Sequence, residues 1–292
     1  MAREEFKSVN FRQKSLDLIR QCNDIIDDYM GQSLRLTLRQ LYYQLVSRNI
    51  IPNKDREYKN LSSLVSDARL SGLMDWSAIE DRVRVPRQQN EYADLDELAK
   101  AALASYRLPR WEGQNAYVEL WVEKDALAGV LSPLAREFHV TMMVNRGYSS
   151  QSAMYESAQR LGAESNPMIF YLGDHDPSGE DMVRDISERF TMFGVYVDVR
   201  KIALTMAQIR QYNPPPNPAK VSDPRAAEYV AKHGASSWEV DALPPNVLSQ
   251  LIRNEFVAVV DQDLMDAVKR REEVDKVELR KAVAKLMKKK GK

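Results

Sequence analysis

The feature that most constrains the fold is a change of hydrophobic period that repeats along residues 117–199. Short apolar runs at 117–122, 139–144 and 168–172 predict buried strands, and 195–199 alternates as a fourth. Between them, 125–138, 150–161 and 179–189 carry helical spacing. Strands alternating with helices of about a dozen residues mean βαβ units and a parallel sheet. The expected class is therefore α/β, with a mainly parallel, Rossmann-like sheet over 116–205.

The chain before that region reads as helices. Leu16, Leu18, Ile19, Cys22, Ile25, Ile26 and Met30 recur at helical spacing. Thr37 looks like an N-cap, and Leu38, Leu41, Tyr42 and Leu45 form one stripe behind it. A third helix is expected over 58–71, with Leu61, Leu64, Val65 and Ala68 inward and Gly72 closing it. Three short helices with tight turns suit a helix-turn-helix or winged-helix module, with the wing at 76–85. Helical pattern resumes over 95–106, and the aperiodic LPRWEGQN at 108–115 marks a boundary. The expected division is a helical domain over 1–107, the sheet domain over 116–205, and an extension over 206–292. That extension holds a Pro-rich segment at 211–220, read as a surface strap, and ends in one charged helix from about residue 263.

Composition narrows the function. The 292 residues carry 42 basic and 42 acidic side chains, so bulk charge cannot coat nucleic acid, although a local basic face remains open. One cysteine excludes a disulfide scaffold and any multi-cysteine zinc site, and three scattered histidines argue against a His-rich site. No apolar run approaches the roughly 20 residues of a membrane helix, and the polar N-terminus does not resemble a signal peptide. A cytoplasmic protein without membrane partners is expected.

In an open parallel sheet, ligands bind beyond the carboxyl ends of the strands. Glu123 follows the first strand, Asn145-Arg146-Gly147 the second, and LGDHDPSGED the third. Asp174 and Asp176 repel each other at that spacing, and a hard divalent cation removes the penalty. Oxygen-only ligands favour Mg²⁺ or Mn²⁺, which suit phosphoryl chemistry. The same two aspartates also fit plain caps of the following turn and helix. His175, between them, is read as a pocket wall or solvent-facing residue.

Glu123 with the Asp-x-Asp-Pro-x-Gly of GDHDPSG resembles a Toprim domain, in the form most similar to the topoisomerase VI A subunit and the meiotic double-strand-break protein. TLRQLYY at 37–43 resembles that family's winged-helix motif, whose second tyrosine attacks DNA, and the domain order also matches. The resemblance spans about residues 37–202. It implies Tyr43 as nucleophile, Arg39 beside the scissile phosphate or the phenol oxygen, and Mg²⁺ or Mn²⁺ on Glu123, Asp174 and Asp176. A phenol is a poor nucleophile at neutral pH unless a cation or base lowers its pKa, and Arg39 is placed to do part of that. Tyr42 lies on the apolar stripe. Tyr43 lies off it, free to face DNA or to be an ordinary exposed tyrosine.

There are departures from the family pattern. Ser178 stands where many Toprim domains have a third acid; Glu180 is the nearest substitute, or the site holds one cation. No GxxxxGK motif occurs, so a separate ATPase subunit is implied for strand passage, and the chain is short for the A subunit. It resembles a reduced stand-alone relative of the kind phages and mobile elements carry.

Between residues 35 and 87, ten Lys/Arg face six Asp/Glu. Lys54, Arg56, Lys59, Arg69, Arg82 and Arg84 are candidate phosphate contacts, with the third helix in the groove, and Lys124 and Arg146 could reach a phosphate from the sheet domain. The expected partners are double-stranded DNA and a second copy of the chain. Three activities stay open: tyrosine transesterification, metal-dependent hydrolysis, and DNA binding without cleavage.

Overall fold

The computed structural model of the protein describes residues 3–32, 34–77, 79, 89–145, 147–219 and 223–290. Its centre is a four-stranded, all-parallel sheet: β1 (Tyr117–Val122), β2 (Thr141–Val144), β3 (Pro167–Leu172) and β4 (Asp198–Ala203), in the order β2-β1-β3-β4. The α/β class follows directly. The helices between strands are α5 (Asp125–Phe138), α6 (Gln151–Leu161) and α7 (Pro177–Met192). The fourth strand lies a few residues later than the alternation at 195–199 suggests, because Gly194 at φ +75° first turns the chain out of α7.

Strand periodicity divides the sheet into two apolar faces. Val118, Leu120 and Val122 of β1, with Met168, Phe170 and Leu172 of β3, pack on Leu127, Leu131 and Leu134 of α5. Leu248, Ile252 and Phe256 of α10 (Pro245–Val259) complete that layer. Trp121, Ile169 and Tyr171 point the other way, against Met154 and Leu161 of α6 and Ile186 and Phe190 of α7. One charged residue sits inside the sheet. Glu119 is fully buried, yet it accepts two bonds from Arg160, at 2.6 and 3.0 Å, and one from the Trp121 indole at 2.9 Å.

The amino-terminal part has its own core. It joins α1 (Gln13–Gly31), α2 (Leu38–Ser47) and α3 (Asp55–Leu70) through residues such as Ile25, Leu41, Leu45, Leu61 and Val65. Thr37 caps α2 in a reciprocal box with Gln40, and Gly72 takes φ +73° after α3. The expected wing falls mostly outside the described residues; Ile79 is described and pairs with Leu36. Next comes α4 (Leu95–Ser105). The 108–115 linker is held by α11 (Gln262–Lys290), whose buried Glu272 accepts from the Leu108 amide and from Arg110. Among the described residues, no helix is long and apolar enough to cross a membrane.

After β4 come α8 (Met206–Tyr212), β5 (Asn217–Pro218), α9 (Ala226–His233) and β6 (Ser236–Ser237). The Pro-rich segment is not a plain surface strap: Pro214 and Pro215 are buried, and β5 pairs antiparallel with β6. His175 then pairs with Trp238 through two backbone bonds, of 2.8 and 2.9 Å. Those bonds anchor the following turn, Val240–Ala242, at the sheet's carboxyl edge.

Candidate active site

The strand order reverses direction between β1 and β3, so their carboxyl ends form the crevice in which open α/β sheets bind ligands. Glu123 and Asp174 stand at those two ends, and the Asp174 amide donates to Glu123 Oε2 at 2.8 Å. The glycines of GDHDPSG are required by close approach. A Cβ on Gly173 would sit 2.8 Å from Glu123 Oε2, and one on Gly179 would collide with the Asp174 carbonyl oxygen. Asp176 caps α7, accepting from the Gly179 amide at 2.7 Å and from Ser178 at 2.8 Å. The capping role is thus real for Asp176.

A cleft of about 390 Å³ opens over this edge. Asp174 and Asp176 line it from the sheet domain, Arg39 and Tyr43 from α2, Asn217 from β5, and Glu239 from the turn after β6. Glu123 is not among its lining residues. Two sequence motifs more than a hundred residues apart therefore share one cavity.

Charge at and beneath the cleft is densely paired. Lys124 Nζ lies 2.8 Å from Asp174 Oδ2, 3.0 Å from Glu239 Oε2 and 3.2 Å from Asp241 Oδ1. Arg39 also pairs with Glu239, and its Nε lies 3.3 Å from Asp241 Oδ2. Burial pushes the Asp174 carboxyl up to about 6; Glu123 adds to the rise and Lys124 opposes it. Burial likewise carries Asp241 to about 6 against the pull of Lys124. Burial also acts to raise Glu239, but Lys124 and Arg39 outweigh it and hold that carboxyl at about 2.

Sequence pattern does not single out Glu239 and Asp241. A turn and helix cap accounts for WEVDALPP, but Asp241 is fully buried and both carboxylates face Lys124. The one signal in the sequence is two acids within an otherwise apolar run, where charges are rarely placed without partners.

Tyr43 differs from the expected exposed side chain. It is only 3% exposed, because β5 closes over α2, and Asn217 Nδ2 reaches its hydroxyl at 3.5 Å. Burial raises the phenol pKa, Glu239 and Asp241 raise it further, and Arg39 offsets only part of this. The Arg39 guanidinium lies 6.0 Å from the Tyr43 ring centre and is committed to carboxylates. Tyr42 is buried as its stripe position requires; its hydroxyl accepts from the Lys54 amide and donates to Asn53.

Lys54, Arg56 and Lys59 are exposed at the start of α3. Arg69 is not free: it donates to the Trp76 carbonyl at 2.7 Å and stacks 4.7 Å over the Trp76 ring. Lys124, expected to reach a phosphate, is instead held among three carboxylates. Arg82, Arg84 and Arg146 lie outside the described residues. His175 is neither wall nor solvent-facing: it is 1% exposed and bonded to Tyr229.

Five carboxylates, Glu123, Asp174, Asp176, Glu239 and Asp241, gather at this edge around Arg39 and Lys124, and Lys201 donates to the Asp174 carbonyl at 2.7 Å. Among the described residues, the ligand-type side chains close enough together to hold a metal are His175, Glu180 and His233, not the expected Glu123, Asp174 and Asp176. Asn145, at the end of β2, is buried with both side-chain amide atoms unbonded.

Compared with models of known protein families and with curated proteins, the chain matches none.

Proposed function

We propose that this protein cleaves DNA in a divalent-metal-dependent reaction of the topoisomerase VI A type. The observation that carries the reading is the single cleft bringing Arg39 and Tyr43 of α2 to the Asp-x-Asp of the sheet edge. Glu123, Asp174 and Asp176 would hold Mg²⁺ or Mn²⁺, which supplies charge neutralisation at phosphoryl oxygens.

The chain's own residues do the rest. Arg39 would exchange its pairs with Glu239 and Asp241 for the scissile phosphate and orient it by a forked hydrogen bond. Tyr43 Oη bonds to phosphorus, and the bond from phosphorus to the 3′ oxygen breaks. The phenol proton leaves to solvent and the departing oxygen takes one up, giving a 5′ phosphotyrosine and a free 3′ hydroxyl. Lys54, Arg56 and Lys59 steady the duplex by its phosphates. A second copy of the chain would cut the other strand, and strand passage would need a separate ATPase subunit.

Hydrolysis is a second reading, favoured by one observation: the Tyr43 phenol is buried and its pKa raised. In that case an activated water replaces Tyr43 and no protein stays on the DNA.

The test is supercoiled plasmid incubated with the protein and Mg²⁺ or Mn²⁺. The proposal expects nicked or linear DNA with metal, none with chelator, and none with Asp174→Ala. Metal-independent cutting, or full activity in Asp174→Ala, contradicts it. A gel shift without cutting supports a binding module instead.

A further inference from the structure

Beside the Asp-x-Asp loop, three other ligand-type side chains converge. His175, Glu180 and His233 come from the β3–α7 loop, the first turn of α7 and the last residue of α9. Their candidate donor atoms all lie within 4.8 Å of one another, and His175 Nε2 is 3.7 Å from Glu180 Oε1. The two imidazole rings stand perpendicular, 4.8 Å apart at their centres.

The hydrogen-bond pattern favours one tautomer of His175. The Tyr229 hydroxyl has one proton, and backbone oxygens of His175 and Ser236 lie 2.8 and 3.1 Å from it. With that proton given to a carbonyl, the hydroxyl must accept from Nδ1, 2.8 Å away. We assign the proton to Nδ1 on this pattern, which leaves the lone pair of Nε2 on the side of Glu180. A histidine whose second nitrogen donates to a fixed acceptor is the usual preparation of a metal ligand.

We propose that His175, Glu180 and His233 bind a borderline divalent transition metal, with Zn²⁺ the best fit. Two imidazoles and one carboxylate are a zinc donor set, and hard Mg²⁺ disfavours nitrogen. Donors around tetrahedral zinc stand about 3.4 Å apart, given bonds of about 2.0–2.1 Å. The 3.7 Å pair nearly meets that spacing, and rotation of half-buried His233 closes the rest. A cavity of about 220 Å³, lined by Glu180, Tyr229 and His233, gives entry and room for a water ligand. Lys201 Nζ, 2.6 Å from the same Glu180 Oε1, orients the carboxylate, and the second lone pair of that oxygen stays open to the metal. The bound ion would clip α9 to the sheet edge. This site is independent of the DNA-cleavage proposal.

The test titrates the metal-free full chain with Zn²⁺ against a chromogenic chelator, and follows Co²⁺ substitution by its absorption. One tight equivalent is expected. His233→Ala and Glu180→Gln should each weaken it about tenfold or more, with circular dichroism checking that both remain folded. Asp174→Asn, which alters the other carboxylate site, should keep the tight equivalent. Wild-type binding no tighter than that of His233→Ala overturns the proposal. So does loss of the zinc equivalent in Asp174→Asn with retention in Glu180→Gln.

Discussion

Glu239 and Lys124 lie 115 residues apart in sequence and 3.0 Å apart in space. The same Glu239 oxygen also takes the Arg39 guanidinium, so one carboxylate ties α2 of the amino-terminal helices to the sheet edge. Arg39 is partly exposed, which weakens its share of the link. Lys124 is the more buried partner and stands where a cation is needed.

Replacing Lys124 by Met should therefore leave Asp174 and Asp241 without their main counter-charge. We expect a loss of about 3 kcal/mol in urea unfolding, the scale of breaking a buried ion pair. Millimolar Mg²⁺ should restore part of it, because the ion supplies the missing charge. No loss, or no Mg²⁺ effect, would mean that the cluster does not need a cation.

Asp241 gives a pH signature in the metal-free protein. Its folded carboxyl sits at about 6 against an ordinary 3.8. Between those values the native state holds a proton that the unfolded chain has released, so stability falls as pH rises through the window. Above about 6 the full cost of the buried charge is present. Glu239, held at about 2, works in the opposite sense: its stabilisation is complete above its ordinary 4.5 and is lost on acidification towards 2. Relative to Asp241→Asn, wild type should lose stability between pH 4 and 6 by at most about 1.4 kcal/mol per unit. Parallel stability curves for the two proteins would refute the assignment.

Gly179→Ala tests the close approach in GDHDPSG. The added Cβ would overlap the Asp174 carbonyl, so backbone must move. A cost of about 1–3 kcal/mol is expected, with Asp174 displaced and cleavage reduced more than stability alone accounts for. An unchanged melting temperature and unchanged cutting would show that the loop is not held as described.

DNA binding should depend on salt through the start of α3. Truncating Lys54, Arg56 or Lys59 to alanine removes one positive charge from the surface proposed to face the duplex. Each such variant should reduce the slope of log K against log salt by about 0.9. Fluorescence anisotropy at several salt concentrations measures it. Slopes equal to wild type would place the duplex elsewhere.

Much of the sheet domain is legible from sequence because the central strands β1 and β3 are buried on both faces and each crossover helix keeps one apolar stripe. Tyr117–Val122 and Asp125–Phe138 follow their hydrophobic periods residue for residue. Glu123 and Asp174 are readable as neighbours because strand ends in a parallel sheet converge. Tyr43 is different. Local periodicity places it off the stripe of α2, but β5 arrives from 174 residues away and covers it. The same long-range return brings Glu239 and Asp241 to Lys124, through the His175–Trp238 backbone pairing. No window along the chain contains both partners, so pattern alone cannot reveal the pairing.

The decisive event in the proposed reaction is the covalent joining of Tyr43 to DNA. Duplex DNA labelled internally with ³²P is incubated with protein and Mg²⁺ or Mn²⁺, digested with nuclease, and resolved on a denaturing protein gel. Label is predicted on the wild-type protein band and none on Tyr43→Phe, with DNA cutting lost in the same variant. Cutting that persists in Tyr43→Phe, with no labelled protein in either sample, would contradict the transesterase and leave hydrolysis at the metal site.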